Sequence, residues 1–233
     1  MEFAGKVAVV TGGTGALGQA ITRRLLAGGS VVAVPFVVPA EAEALRASLP
    51  AAGRAQLHAI PADVADPAAI DGLIGGVLAR HRRVDILVCA VGGFAAGDLV
   101  STPPELWNRM LTLNLTTTYL ACRGALPAML RARSGRVITI ASRSVVPPTA
   151  GFLAYTVAKA GVIALTLALA REVAPHGVTV NAVLPSTMDT PANRAAMPDA
   201  DRSGWVSVDS VATVVTLLAG DGARDVTGAL IPV

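Results

Sequence analysis

Short apolar runs alternate along the chain with stretches whose apolar residues recur every three or four positions. Val7 to Val10 is a continuous β-forming run that leads through Thr11 into Gly12, Gly13, Gly15 and Gly18. Past Gly18 the period changes, and Ala20, Ile21, Leu25 and Leu26 share one helical face until Gly28-Gly29. A second strand is predicted over Val31–Val34, closed by Pro35, and helical periodicity over Glu41–Leu49 stops at Pro50. His58-Ala59-Ile60 reads as a third strand, and Asp66-Pro67 opens a helix with Ile70, Leu73, Ile74 and Val77 inward. Asp85–Val88 and Val137–Ala141 follow as strands, with one long helix, Glu105 to Leu130, between them. Pro127 is expected to bend or end that helix. A helix over Leu153–Val173, a strand over Val178–Val183, a helix over Val208–Ala219 and a last strand at Ala229–Val233 complete the series.

Strand-then-helix units with near-continuous apolar strands predict an α/β fold, a doubly wound and mostly parallel sheet with helices on both faces. Nothing reads as a linker, so residues 1–233 are expected to form one nucleotide-binding catalytic domain. Thr187–Trp205 differs in texture: it is rich in Met, Asp, Pro and Arg and has no period. An aperiodic stretch of that length predicts a substrate lid over residues 187–205, with a variable surface loop as the alternative.

Composition narrows the classes. Apolar residues make up 53% of the chain, yet the longest oily run, Val162–Ala170, is far short of the roughly 20 residues that cross a bilayer. The opening MEFAGK leads straight into a strand and does not read as a signal peptide. The formal charge is +3 and the arginines are scattered, with Arg80, Arg82 and Arg83 beside His81 as the one cluster. Aromatics are 3%, too few for base-stacking platforms, so no nucleic-acid partner is expected. Cys89 and Cys122 imply no disulfide framework and fit a reducing cytosol. His58, His81 and His176 stand apart in the sequence, and no metal site is expected.

The chemistry gathers in two places. Strand, glycine turn and helix in that order cradle a pyrophosphate at a helix N-terminus. Two glycine frames are readable: Gly13, Gly15 and Gly18 spell GxGxxG, while Gly12 and Gly18 bound TGxxxGxG with Ala16 in its middle position. Farther on, Tyr155 and Lys159 are i and i+4 on one helical face. Ser142 ends the fifth strand, where a parallel sheet presents side chains to its ligand crevice. Asn114 lies inside the long helix, a poor place for asparagine unless its side chain is used.

On these residues the chain resembles the compact single-domain short-chain dehydrogenases/reductases, over most of its length. The resemblance implies a Rossmann-type sheet and an NAD(P)-dependent oxidoreductase. Asn114, Ser142, Tyr155 and Lys159 match its catalytic set. It makes Tyr155 the acid/base, with Lys159 lowering its pKa and binding the nicotinamide ribose. Ser142 holds the substrate oxygen, and Asn114 holds a water. Thr11, Gly12, Gly13, Thr14, Ala16, Leu17, Gly18, Phe36, Val37, Asp63, Val64, Ala90, Val91, Gly92, Pro185, Thr187 and Met188, with Tyr155 and Lys159, are the implied cofactor contacts. Asn181 is implied beside the nicotinamide. Cys89 stands where the family usually has asparagine, and Ser186 where glycine is more usual.

Phe94, Met188, Met197 and Trp205 are large apolar residues in polar, aperiodic surroundings and predict an apolar substrate pocket with Ser142, suited to a cyclic or branched ketone. Arg194 is an alternative anchor for an anionic substituent. Val183–Trp205 and Val91-Gly92-Gly93-Phe94 are similar to quinonoid dihydropteridine reductases, so pterin reduction is a second reading. A catalytically silent cofactor-binding structural or regulatory protein is the third.

The cofactor is expected to be NAD(H) or NADP(H). Phe36 and Val37 occupy the positions where an acid for the ribose hydroxyls or an arginine for a 2'-phosphate belongs. Glu41 and Glu43 follow too late in the chain, and Arg46 points outward or folds back onto the phosphate. Burying a phosphate against valines costs more than losing one hydrogen bond, which leans the choice toward NAD(H). A homotetramer or homodimer is expected from the long helices, with Leu126, Leu165 and Leu169 as outward apolar residues.

Overall fold

The computed structural model describes residues 2–233. A seven-stranded parallel sheet forms from β1 (Val7–Thr11), β2 (Val31–Phe36), β3 (Leu57–Pro61), β4 (Ile86–Cys89), β5 (Gly135–Ile140), β6 (Val178–Leu184) and β9 (Leu230–Pro232). Its order is β3-β2-β1-β4-β5-β6-β9. β1 pairs with β2 on one side and β4 on the other, so the winding reverses between them. A crevice outside the carboxyl ends of β1 and β4 follows from that reversal.

Helices α1 (Ala16–Ala27) and α9 (Val208–Ala219) pack together on one face, burying Ile21, Leu25, Val211 and Val215 against Val10, Val88 and Ile138. Helices α4 (Pro67–His81), α6 (Thr117–Ala132) and α7 (Leu153–Val173) cover the other, where Ile70, Ala121, Ala125 and Val173 meet Val9, Leu87 and Val180. Both faces are covered, which is why the strands read as continuous apolar runs.

Several sequence expectations change in detail. β2 runs on through Pro35 to Phe36. Its pairing with β1 ends at Ala33 while that with β3 continues, so proline meets a one-sided ladder and its missing N–H is tolerated. Pro50 does not end helical structure: α2 (Pro39–Ala47) is followed by a short α3 (Ala51–Gln56) with Pro50 as its N-cap. The long helix is not uniform. It consists of α5 (Pro104–Leu111), a π turn over Thr112–Thr116 and α6, and Pro127 lies exposed within α6 without ending it.

The lid segment is also ordered. β7 (Met188–Asp189) pairs with β8 (Val206–Ser207), and α8 (Pro191–Ala196) lies between them. Thr190 caps α8 by accepting from Asn193 N at 3.1 Å. Leu153–His176 has the length and mean hydropathy (1.8) of a membrane span, longer than the oily run alone indicated. It is nevertheless the helix that packs on β6 and carries Tyr155 and Lys159. Leu126 is buried among the α4–α6 core residues and Leu169 packs against that core, so neither faces outward. Val157 and Leu167 on α7 and Tyr119 on α6 are the exposed apolar residues instead.

Candidate active site

The glycine turn is decided by sterics. Gly12 has φ +70°, and a Cβ there would lie 2.7 Å from the Ala90 backbone. A Cβ on Gly18 would lie 2.0 Å from Gly12 O, and one on Gly13 would strike Val34. Gly15 has nothing nearer than 3.4 Å. The frame bounded by Gly12 and Gly18 is therefore the one the packing enforces, and Ala16, exposed at the start of α1, does not disturb it. Ala90 N donates to Thr11 O at 3.1 Å, joining the β1 and β4 ends across the reversal. These glycines pack the turn tightly against β4 and leave the start of α1 without a side-chain cap, an arrangement that fits a dinucleotide pyrophosphate.

The catalytic candidates converge beyond the same strand ends. Asn114 is fully buried in the π turn. Its Nδ2 donates to Met110 O at 3.0 Å, the carbonyl that an α turn would have given to the Asn114 N–H. The same carboxamide accepts from Gly93 N and donates to Gly93 O, both at 3.1 Å. A Cβ on Gly92 would lie 2.9 Å from Asn114 Oδ1 and 3.2 Å from Lys159 Nζ, so these three residues meet. Lys159 Nζ donates to Ile140 O at 2.7 Å. Burial brings its pKa down to about 8.

Burial pushes the Tyr155 phenol up, and the Ser142 hydroxyl beside it pulls it partly back. Lys159 was expected to lower that pKa; in this structure its ammonium is engaged by Ile140 O instead. Ser142 Oγ is 2.9 Å from Ser144 Oγ. Phe94 meets Tyr155 edge-on at 5.1 Å between ring centres and Phe152 at 5.0 Å. Two hydrogen bonds hold that loop to the start of α7, Gly97 N to Gly151 O and Leu153 N to Gly97 O. Phe152 was missed in the sequence because it stands alone before the helix. Cys89, in the family's asparagine position, faces Cys122, whose thiol and the surrounding burial push Cys89 well up.

Other candidates fall as follows. Asp63 lies just past β3, with Oδ1 accepting from Ala65 N at 2.9 Å, and Val64 is buried beside it. Val91, Gly92, Pro185 and Thr187 follow the ends of β4 and β6. Asn181 is not at the crevice: it is fully buried and ties Val226 O and Ala229 N. Met188 packs against the α1–α9 core, Met197 is partly exposed, and Trp205 carries the Arg202 guanidinium 5.7 Å from its ring centre. Arg194 is paired with Asp189 at 2.5 and 2.7 Å and is spent within the lid. His58 and His81, apart in sequence, have ring centres 5.2 Å apart.

Glu41, which comes too late in the chain to stand at the end of β2, accepts at Oε2 from Thr14 Oγ1 at 2.8 Å. α2 starts at Pro39, immediately past β2, so its first turn lies over the glycine loop. Arg46 instead lines a hollow with His58, Arg80 and His81, among the first residues of β2 and β3.

The glycine turn at the sheet reversal thus lies at the same end of the sheet as the buried Asn114, Ser142 and Lys159 and the half-buried Tyr155. The chain belongs to the short chain dehydrogenase family, whose model matches residues 6–201. That family uses NAD(H) or NADP(H). The chain is 34% identical to the 3-oxoacyl-[acyl-carrier-protein] reductase FabG of Escherichia coli, over 98% of this chain and 95% of that one. It is 30% identical to the 2,5-dichloro-2,5-cyclohexadiene-1,4-diol dehydrogenase LinX of Sphingobium indicum, over 100% and 96%. Among solved structures, gox2181 superposes with a TM-score of 0.92 at 28% identity, covering 99% of this chain and 94% of that one.

Proposed function

We propose that this oxidoreductase reduces a small or medium apolar, cyclic or branched ketone to its alcohol, and catalyses the reverse, with NAD(H) as the preferred cofactor. The observation that carries the reading is the half-buried Tyr155 phenol beside the Ser142 hydroxyl, with Phe94 edge-on to its ring. The bound cofactor supplies or accepts the hydride at the carbonyl carbon.

In reduction, the carbonyl electron pair moves onto oxygen and Tyr155 delivers its proton there, while Ser142 donates a hydrogen bond to the same oxygen. A phenol with its pKa pushed up stays protonated at neutral pH, as an acid for reduction must. Lys159, one helical turn on from Tyr155 and with its pKa brought down to about 8 by burial, is assigned to the nicotinamide ribose. Asn114 fixes the Gly92-Gly93 backbone against which the nicotinamide lies. Thr11 to Gly18, with Ala16 and Leu17 at the helix start, hold the pyrophosphate. Phe36, Val37, Asp63 and Val64 border the adenosine half, and Ala90, Val91, Gly92, Pro185, Thr187 and Met188 border the nicotinamide half.

Phe94, Met188, Met197 and Trp205 are assigned to the substrate side, with residues 187–205 as lid. The similarity to LinX, named for a cyclohexadiene diol, favours a ring, and that to FabG, named for a 3-oxoacyl group, favours a 3-oxo ester as the second substrate class. The exposed Val157, Leu167 and Tyr119 favour a homodimer or homotetramer through α6 and α7. A cytoplasmic location is the one assigned, supported by the free, buried cysteines. NADH oxidation measured over cyclic ketones, cyclic diketones, 3-oxo esters and a quinonoid dihydropterin tests the assignment. Turnover confined to the pterin, or tight cofactor binding with no turnover, would replace it by one of the other two readings.

A further inference from the structure

We propose that Glu41, from the first turn of α2, has taken over the reading of the adenosine ribose and excludes a 2'-phosphate. The inference rests on the cofactor reading above and adds the residue that discriminates. At the end of β2 there is no carboxylate to accept from the ribose hydroxyls, since Phe36 is half-buried and Val37 is 69% exposed. The carboxylate reaches the same loop from the next element instead. Thr14, whose side chain lies in the glycine turn, donates to Glu41 Oε2 at 2.8 Å. That bond uses one carboxylate oxygen; Oε1 has no hydrogen-bond partner among the described residues and retains its acceptor capacity.

A ribose diol is a pair of donors, and an ionised carboxylate held over it accepts a charge-assisted hydrogen bond. A 2'-phosphate in the same place is a dianion against a carboxylate, with only acceptor oxygens facing acceptor oxygens. Among the described residues no ion pair joins Glu41 to a cation, so its charge faces the ribose position uncancelled by a direct partner. Arg23 Nη1 donates to the neutral Gln19 Oε1 and Ser48 Oγ, both at 3.1 Å, which hold this exposed guanidinium beside α1. Gln19 Nε2 in turn donates to Thr14 O at 2.8 Å, so the array around Thr14 is already bonded. Arg46 faces the His58 hollow. Glu41 is exposed and lies on the surface of α2, so its replacement leaves the core intact. Glu43, two residues on and also exposed, is the matched control.

Calorimetric dissociation constants for NADH and NADPH, and for ADP-ribose and its 2'-phosphate, would be measured on the wild type, Glu41→Gln and Glu43→Gln. A wild type favouring NADH is expected, with the preference falling by about tenfold or more in Glu41→Gln, the scale of one hydrogen bond to a charged group. Glu43→Gln keeps the wild-type ratio. The fragments follow the same pattern without any turnover. A ratio unmoved by Glu41→Gln, or moved equally by Glu43→Gln, overturns the inference and leaves the cofactor reading standing. Failure of the wild type to bind either cofactor overturns both.

Discussion

The carboxamide of Asn114 pairs with the backbone of Gly93 in both directions, accepting from its N–H and donating to its carbonyl at 3.1 Å each. One buried side chain thus joins the π turn of the α5–α6 helix to the loop beyond β4. Asn114→Leu keeps the branched shape but removes the hydrogen bonds to Gly93 N, Gly93 O and Met110 O. A loss of about 2–4 kcal/mol is expected from those unpaired groups. Urea unfolding measures it, and a loss below about 1 kcal/mol would show that water or neighbours satisfy those groups.

Gly18 and Gly15 separate helix propensity from packing. On propensity alone Gly18→Ala, inside α1, would stabilise by roughly 1 kcal/mol. Its methyl would lie 2.0 Å from Gly12 O, so a loss of about 1–3 kcal/mol is expected, with weakened NADH binding. Gly15→Ala, with no neighbour nearer than 3.4 Å, is expected to stay within about 0.5 kcal/mol of wild type. Thermal melts and NADH titrations of the two variants check the contrast.

Lys159 makes stability depend on pH. Its pKa is about 8 folded against 10.5 unfolded, so between those values the unfolded chain holds more protons and stability rises with pH. Below pH 8 both states are protonated and the burial penalty, about 3 kcal/mol, is constant. Lys159→Met removes it. The variant is expected to be the more stable protein at pH 7, with its advantage shrinking toward pH 10, and to be inactive at both. Urea midpoints at the two pH values test this; an advantage that grows with pH would contradict it.

Phe94→Ala removes the ring that meets Tyr155 and Phe152. Because Phe94 is 60% exposed, little stability should be lost. A several-fold rise in KM for cyclic ketones is expected, on the scale of about 1 kcal/mol of ring contact. Steady-state kinetics with one cyclic and one short linear ketone distinguish this from a general loss of activity.

The strands and main helices were legible because each carries its own period over many residues, as in Ile70, Leu73, Ile74 and Val77. The glycine turn and the Tyr155–Lys159 spacing were legible because both are local. What escaped needed three dimensions. α8 is six residues long and held by Asn193, Thr190 and the Arg194–Asp189 pair rather than by an apolar face. The π turn leaves no mark in periodicity. Counting along the chain sets Glu41 apart from the glycine turn, whereas the path of α2 returns it to Thr14. Phe152 and the His58–His81 pair are contacts between elements, invisible to spacing.

The central claim is that Tyr155 is the acid and base for hydride transfer to a carbonyl. It is tested most directly by comparing wild type and Tyr155→Phe in NADH binding and in ketone turnover. The account predicts NADH affinity weakened by no more than about one hydrogen bond, since the phenol is also an implied cofactor contact, and a turnover number lower by on the order of a hundredfold or more, the usual size of a lost general acid. Turnover that survives in Tyr155→Phe, with cofactor binding intact, would contradict it.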